Sequence, residues 1–388
     1  MPLLRPRVSP FAAPCWAAAL LALAAGSANA NVSVQIVAPS GQTPVLELQT
    51  PVRLTALVNI DGQPVDNGTP VHWSSSSLAG SFATSSSPTV SGRASTLLRG
   101  MVPGAHSLHA EAEVAGQRYA VTYGFYLRQL PSPLELLVPA YFYPSSGGSG
   151  WDILAAAAST YPDLKISAIL NPSNGIFTSA PARYVQAAQN FVDAGGQLLG
   201  YVYTNYGRGP RTLADVQTNV DRYLTLYGRG LISGIFVDEM SNKASDLAFY
   251  QALYRYIKDK DPSLRVVGNP GTIPATRMAT VADALITFEG QALNFANYDP
   301  RRTGPWLYNL SNSRQGALVH NASTCTAMQT ALKRAATAQA NSGLVYITHR
   351  PYDYATNTGN PWASLPTYWT ALLQSLQAIN QGQPLPTC

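Results

Sequence analysis

Charged residues are scarce in this sequence, and their scarcity excludes some classes of partner. They make up 12% of the 388 residues, and 25 Lys and Arg against 20 Asp and Glu leave a formal net charge of +5. The basic residues are scattered and form no cluster or stripe, which excludes nucleic acid as the main partner. Hydrophobic residues make up 46%, enough to build large cores and to exclude a disordered chain.

The motifs of several common chemistries are also missing. The sequence has no HExxH, no close pair of cysteine ligands, no P-loop lysine and no GxSxG. We therefore predict no metal and no cofactor. His320 and His349 follow neighbouring predicted strands and leave a metal-dependent hydrolase or deacetylase open as an alternative, although no third ligand is evident.

The N-terminus has the features of a secretory signal. Arg5 and Arg7 precede a short apolar run at residues 17–25, and Ala28-Asn29-Ala30 fits the small-residue cleavage pattern. The run is shorter than the roughly 20 apolar residues that a transmembrane helix needs. We expect residues 1–30 to be removed and the mature chain, with no integral membrane span, to be secreted, periplasmic or at the cell surface. An uncleaved anchor is the alternative.

Cysteine is rare, with three in the whole chain. Cys15 lies in the expected signal, so Cys325 and Cys388 would remain after cleavage. In an oxidising compartment these two can pair and hold the C-terminal tail. Two free thiols are the alternative, and the sequence does not decide between them.

Residues 31–130 have the period-two pattern of β-strands. Apolar residues alternate from Val52 to Ile60, and turn signals such as Asp61-Gly62 and Asn67-Gly68 separate the runs. About seven short strands in a hundred residues predict a small all-β sandwich. The stretch DGQPVDNGTPVHW resembles bacterial immunoglobulin-like domains of the invasin type. That resemblance implies a structural or adhesive module, with contact to a cell surface or matrix.

After Pro131-Ser132-Pro133 the pattern changes to apolar strands that alternate with amphipathic helices. Eight strands in about 250 residues predict a (β/α)8 barrel over residues 134–380. A doubly wound open sheet is the alternative, but the glycine-rich PSSGGSG after the first strand lacks the spacing of a nucleotide site. The predicted strands are 134–141, 164–170, 197–203, 232–237, 265–268, 284–288, 317–319 and 344–348.

Functional groups of such barrels stand where the strands end. Strand four runs directly into Asp238 and Glu239, and strand six into Glu289. Carboxyl groups on two loops provide the acid and the carboxylate that glycoside hydrolysis needs. The alternative is that Asp238 caps the next helix and Glu239 is solvated. The substrate-binding candidates at the other strand ends are Tyr141, Asn171, Tyr203, Asn205, Tyr206, Asn269 and His320.

Six segments in order resemble the spherulin-4-like family of secreted proteins, over about residues 134–380. They are ILNPSNG, LGYVYTNYGRG, GIFVDE, VVGNPGT, ADALITFEG and LVYITHR with the following NPWASLPTYW. The resemblance implies a (β/α)8 glycoside hydrolase that cleaves α-1,4-linked N-acetylgalactosamine or galactosamine within an exopolysaccharide. The family's acidic pair falls on Asp238 and Glu239, and its later glutamate on Glu289.

We therefore expect a secreted, endo-acting and retaining glycosidase with a polysaccharide substrate. Asp238 is the candidate nucleophile, Glu289 the candidate acid/base, and Glu239 would orient them or bind a substrate hydroxyl or amide; the first two roles could be exchanged. A carbohydrate-binding surface protein without catalysis is the alternative function. Two positions depart from the family, since Ser173 begins a less glycine-rich turn and Tyr203 stands where relatives often have histidine.

Overall fold

The computed structural model describes residues 31–37, 44–75, 80–145 and 147–388. The expected signal at residues 1–30 lies outside the described residues. Within these ranges, no helix combines the length and the apolar character needed to cross a membrane.

Residues 32–128 form two sheets that enclose a core of their own. One sheet has the order β1-β3-β8-β6, with β4 paired to β3, and the other has the order β2-β10-β9-β5-β7. Inward residues alternate along the long strands, as in Leu54, Ala56 and Val58, which is the predicted period of two. The strands are β1 (Val32–Val37), β2 (Val45–Glu47), β3 (Pro51–Ile60), β4 (Gln63–Pro64), β5 (Pro70–Ser75), β6 (Gly80–Phe82), β7 (Ser86–Pro88), β8 (Arg93–Gly100), β9 (Gly104–Val114) and β10 (Gln117–Arg128).

The second half confirms the predicted (β/α)8 barrel. Among the described residues, eight parallel strands form a closed barrel, in which the last strand pairs with the first through Leu136 and Val345. This closure rules out the open doubly wound sheet. The strands are apolar runs because helices cover their outer faces. They are β11 (Glu135–Ala140), β12 (Ile166–Leu170), β13 (Gln197–Tyr203), β14 (Ile232–Asp238), β15 (Arg265–Gly268), β16 (Ala284–Gln291), β17 (Gln315–His320) and β18 (Leu344–Ile347).

A hairpin of β19 (Tyr352–Asp353) and β20 (Thr358–Gly359) follows the last barrel strand. The α-helices are α1 (Gly150–Thr160), α2 (Ala182–Asp193), α3 (Leu213–Leu226), α4 (Leu247–Lys260), α5 (Ala292–Phe295), α6 (Pro300–Thr303), α7 (Cys325–Ala336) and α8 (Trp369–Asn380). The 3-10 helices are Pro172–Gly175, Asn205–Gly207, Ala244–Asp246, Thr276–Thr280, Pro305–Asn309 and Asn312–Arg314.

The sequence pattern predicts a flexible loop over the glycine-rich PSSGGSG and does not indicate helix α1, which begins at its end. Ser149 and Asp152 form a capping box that starts this helix directly after two glycines with positive φ. The same pattern predicts a last helix from Leu365, but the helix begins four residues later, at Trp369, because Pro366 lies in the turn that precedes it.

A buried ion-pair network closes the end of the barrel where the strands begin. The Glu135 carboxylate accepts from Arg265 Nη1 at 2.6 and 2.8 Å, and Lys165 Nζ lies 2.9 Å from it. Ser167 Oγ donates to the same group at 2.7 Å. Removing one partner of such a buried pair costs about 3–5 kcal/mol of stability. Glu135 therefore serves the fold and lies at the opposite end from the predicted site.

The sandwich contacts this same end of the barrel. Ser132 exchanges two hydrogen bonds with the Asn312 side chain, at 2.8 and 2.9 Å. The rings of Tyr126 and Tyr308 pack with centroids 5.0 Å apart, and Arg128 Nη1 donates to the Thr337 carbonyl at 3.4 Å. These barrel residues precede β17 and β18, so they lie where the strands begin.

The two remaining cysteines are bonded to each other. Cys325 at the start of α7 and Cys388 form a disulfide with Cα atoms 5.6 Å apart. Gln329 Nε2 adds a hydrogen bond to the Pro386 carbonyl at 2.8 Å. The C-terminal tail is therefore fixed to the outside of the barrel, and the alternative of two free thiols does not apply.

The domain boundary near Pro131 remains a prediction, and the separate cores suggest its test. A fragment of residues 131–388 is expected to fold alone, because the barrel core shares none of its buried residues with the sandwich core. Circular dichroism should show one cooperative melt with helical signal. A fragment that is unfolded while the full chain folds would contradict the boundary.

Candidate active site

Two carboxylates share one amide donor at the mouth of the barrel. Asp238 is the last residue of β14, and Asn269 follows the end of β15. The Asn269 Nδ2 donates to Asp238 Oδ1 at 2.8 Å and to Glu289 Oε2 at 2.6 Å. Gly271 fixes the amide, since its N–H donates to Asn269 Oδ1 at 3.0 Å. Two acceptors of one nitrogen lie within about 5.5 Å of each other, so the carboxylates face each other across a short gap.

Glu289 lies inside a strand, which corrects the prediction that it follows one. Strand β16 continues to Gln291, beyond the predicted end at Phe288. The register against β17 shifts between Ile286 and Phe288, so Thr287 has no residue opposite it. Such a bulge changes the direction of the side chains that follow it. The pairing of the strand then holds the Glu289 backbone in place, and its N–H also donates to the Gly271 carbonyl at 2.9 Å.

Two tyrosines line the floor below the carboxylates. Tyr201 donates its hydroxyl to Asp238 Oδ2 at 2.7 Å, so it is both a core residue and a site residue. Tyr141 packs edge-on against the Tyr201 ring with centroids 5.5 Å apart. Burial raises the pKa of Tyr141, and the charges of Asp238 and Glu289 raise it further. Both hydroxyls thus remain protonated donors beside the carboxylates.

Glu239 is positioned by a backbone that few residues adopt. Its φ is 47°, and the φ values of Asn205 and Tyr206 are 48° and 58°. Each such residue costs about 1–3 kcal/mol, so hydrogen bonds must hold it. The Glu239 carbonyl accepts from Tyr206 N at 2.7 Å and from Thr204 Oγ1 at 2.8 Å. The turn lets Asp238 and Glu239, which are adjacent in the chain, both lie at the mouth.

Burial raises the pKa of all three carboxyl groups. For Glu289, burial and then the charge of Asp238 raise the pKa to about 7, against the effect of the Asn269 hydrogen bond. Burial also raises the pKa of Asp238, while hydrogen bonds from Tyr201, the Glu239 backbone and Asn269 oppose it. Burial and the charge of Asp238 raise the pKa of Glu239. A hydrogen bond from the Asn205 backbone and the charge of Arg211 lower it. Neighbouring carboxylates do not both ionise freely, so Glu289 keeps a proton to nearly neutral pH.

The other predicted substrate-binding residues differ in how far they are open to a substrate. Asn205 and Tyr206 border Glu239, and the Tyr206 side chain is exposed at the mouth. Tyr203 has one ring face covered by Arg211, whose guanidinium carbon lies 4.0 Å from the ring centroid. Asn171 begins a tight turn, and its Oδ1 is buried without a hydrogen-bond partner among the described residues.

His320 supports an aromatic wall on the far side of the mouth. Its Nδ1 lies 2.5 Å from Asn321 Oδ1, and its Nε2 lies 3.1 Å from the Tyr354 hydroxyl. Burial lowers the pKa of His320, so the ring is neutral near pH 7. The side-chain oxygen of Asn321 can only accept, so Nδ1 of His320 carries the proton. Nε2 of the neutral ring then accepts from the Tyr354 hydroxyl. His320 is thus a support for the wall, and its ring nitrogens are occupied.

Sequence reasoning missed Tyr354 and Trp362, which complete this wall. Tyr354 lies on the hairpin after β18, is 57% exposed, and has its pKa raised by burial and by the charge of Glu289. Trp362 packs on His320 with centroids 6.1 Å apart. The available signal was a long segment rich in aromatic residues between the last strand and the last helix, with no helix of its own.

The alternative metal site does not form in this structure. His349 Nδ1 accepts from Thr367 N at 3.3 Å, whereas His320 is bound to Asn321 and Tyr354. Across the described parts of the chain, no group of three or more His, Cys, Asp and Glu side chains is arranged to hold a metal ion.

Comparison with known proteins agrees with this architecture. The model of the spherulation-specific family 4 matches residues 135–376, which is more than half of the chain. The chain belongs to this family. Spherulin-4 of Physarum polycephalum is 35% identical over 181 residues, which are 46% of this chain and 52% of that protein. The chain thus spans about half the length of the curated relative that it matches.

A solved structure has the same barrel. The crystal structure of Aspergillus clavatus Sph3 in complex with GalNAc superposes with a TM-score of 0.52. The match covers 63% of this chain and 97% of Sph3, at 24% sequence identity. At that identity the likeness establishes the fold alone.

The raised pKa of Glu289 predicts a pH-dependent stability. Its folded pKa of about 7 lies above the ordinary 4.5, so the stabilising effect of its proton is complete below pH 4.5 and is lost as the pH rises to 7. Glu289→Gln keeps an acceptor for Asn269 without the charge. It should raise the melting temperature at pH 8 by a few degrees, corresponding to about 1–3 kcal/mol.

Calorimetry of both proteins at pH 4.5 and pH 8 measures this difference. The difference in melting temperature should vanish at pH 4.5. The exposed sandwich residue Glu113 supplies the control, since Glu113→Gln should change neither value. Equal melting temperatures of Glu289→Gln and the parent at pH 8 would show that the pKa of Glu289 is not raised.

Proposed function

We propose that this chain is a retaining, endo-acting glycoside hydrolase of an amino-sugar polymer. The shared Asn269 donor carries the proposal, because it holds Asp238 and Glu289 oxygens within about 5.5 Å. Retaining enzymes have their two carboxyl groups about 5–5.5 Å apart, and inverting enzymes about 6.5–9.5 Å. This short distance supports a retaining mechanism, because an inverting enzyme needs room for the attacking water between its carboxyl groups.

Asp238 is the proposed nucleophile. Tyr201 and Asn269 each donate to one of its oxygens, which fixes the plane of the carboxylate and favours its ionised form. In the first step an Asp238 oxygen bonds to the anomeric carbon as the glycosidic C–O bond breaks. In the second step water attacks that carbon and releases the Asp238 carboxylate.

Glu289 is the proposed acid and base. A pKa of about 7 keeps it protonated when the substrate arrives, so it can give its proton to the leaving oxygen. The resulting carboxylate then takes a proton from the attacking water, which restores the starting state. Glu239 is the proposed contact for a substrate hydroxyl or amide, since its carboxyl group lies near the pair and is bonded to the Asn205 backbone.

The proposed substrate is α-1,4-linked N-acetylgalactosamine or galactosamine in an exopolysaccharide. The family match and the sugar bound to the similar Sph3 structure support this class. The exposed rings of Tyr206 and Tyr354 on opposite sides of the mouth, 51% and 57% exposed, offer flat surfaces for sugar rings. Their positions suit an open groove and therefore cleavage inside a chain.

We propose that the protein acts outside the cytoplasm. The signal-like segment at residues 1–30 supports export. The disulfide between Cys325 and Cys388 supports it independently, because such bonds persist in oxidising compartments.

Azide rescue tests the assigned roles. Glu289→Ala should lose about a hundredfold or more of its turnover on polymer. On a substrate with an activated leaving group it should still form the Asp238 ester, and azide should then yield a glycosyl azide of the substrate's own anomeric configuration. Nuclear magnetic resonance of the product reads that configuration.

Asp238→Ala and Glu113→Ala complete the experiment. Asp238→Ala should form no covalent intermediate, and Glu113→Ala, which changes an exposed carboxylate of the sandwich, should behave as the parent. Near-normal turnover of Asp238→Ala would require a mechanism built on Glu239. Binding of the polymer without any cleavage by the parent would favour the carbohydrate-binding alternative.

The pH dependence of the reaction follows from the same pair. The rate on polymer should fall above about pH 7 as Glu289 loses its proton, and should also fall on the acid side as Asp238 gains one. An activated leaving group needs no proton, so the alkaline fall should disappear from the first step with such a substrate. An alkaline fall of equal size with both substrates would contradict the assignment of Glu289.

A further inference from the structure

A pocket of about 360 Å³ lies beside the catalytic carboxylates. We call it the flank pocket. It is formed by the segments that follow β13, β14 and β15, and its lining includes Asn205, Tyr206, Arg208, Asn242, Lys243 and Pro270. Its volume falls in the range of sites that hold small organic ligands. Of these lining residues, only Asn205 and Tyr206 have been given a role above.

Tyr206 belongs both to the flank pocket and to the surroundings of the catalytic carboxylates. Tyr206 lines the pocket and is 51% exposed. It is also near the carboxylates, since burial and then the charges of Glu239, Asp238 and Glu289 raise its pKa. A sugar in the pocket would therefore be a neighbour of the sugar whose bond is cleaved, and Tyr206 would be near both.

The charges of the two positions are opposite in sign. The catalytic centre contains three carboxyl groups, whereas the lining of the flank pocket contains two cations and no acid. Arg208 is neutralised by Asp246, with Nη2 and Oδ2 2.6 Å apart. Lys243 is exposed and forms no ion pair with any residue that the structure describes. The net charge of the pocket is therefore that of one free ammonium group.

We propose that the flank pocket is a sugar subsite that selects by charge. It accepts a neutral or anionic unit and rejects a unit with a free ammonium group. In an amino-sugar polymer the accepted unit is the N-acetylated one. The inference rests on the proposed function, because it assumes that the chain binds such a polymer.

The rejection follows from repulsion between two like charges at close range. An ammonium group in the pocket would lie beside Lys243, whereas the same group at the catalytic centre would face three carboxyl groups. At the effective dielectric of a protein surface, repulsion over a few ångströms is enough for a preference on the order of tenfold. Cleavage of a partly de-N-acetylated polymer should thus depend on the unit beside the bond.

The test is the composition of the newly formed chain ends. A partly de-N-acetylated α-1,4-linked N-acetylgalactosamine polymer is digested, and mass spectrometry identifies the sugar at each new end. With the parent, the ratio of N-acetylated to free-amine units at one of the two new ends should be about tenfold higher than the same ratio in the whole polymer. Lys243→Met should weaken this bias, and Lys243→Glu should abolish or reverse it.

Lys333→Glu is the matched control, since it makes the same change of charge on an exposed residue of α7. It should leave the bias as in the parent. Unbiased ends with the parent, or an unchanged bias in both Lys243 variants, would overturn the subsite and leave the glycosidase intact. If the parent does not cleave the polymer and Glu289→Gln does not bind it, the proposed function and the subsite are both overturned.

Discussion

The site depends on one amide that keeps two acids together. Asp238 and Glu289 come from different strands, and their like charges would drive them apart if both were ionised. Asn269 donates to both, so it draws them together without a positive charge that would lower both pKa values. A lysine in its place would hold the two carboxylates but leave neither protonated. The neutral donor thus keeps one proton on the pair, and the additional hydrogen bonds that Asp238 accepts assign that proton to Glu289.

The backbone around this pair is as specialised as its side chains. β14 delivers Asp238 in regular geometry, and then Glu239 adopts a left-handed conformation in contact with the left-handed residues Asn205 and Tyr206. Thr204 connects this turn to the interior through the Tyr250 hydroxyl, 2.9 Å from its Oγ1. Hydrogen bonds to buried groups therefore stabilise the strained backbone at the mouth, and such conformations persist only when the surrounding structure holds them.

The sequence was sufficient for the barrel and for the identity of the acids at its mouth. β13 and β15 have the predicted bounds because both faces of each strand are buried and turn residues flank them. The exact setting of Glu289 could not be predicted, since the bulge at Thr287 arises from pairing with β17, far along the chain. Asn269 was expected to contact the sugar. Its hydrogen bonds to Asp238 and Glu289 could not be predicted, because they depend on the relative positions of β14, β15 and β16. Helix α1 was missed although Ser149 and Asp152 give its start.

The sandwich and the mouth are at opposite ends of the barrel. Ser132 and Tyr126 contact segments that precede strands, whereas the carboxylates lie where strands finish. If the sandwich adheres to an envelope or a matrix, the mouth of the barrel faces outward, at a distance set by the height of the barrel. Many copies on one surface would then present their mouths in the same direction, so that, under the proposed function, one long polymer is cleaved at several points while it stays bound to other copies.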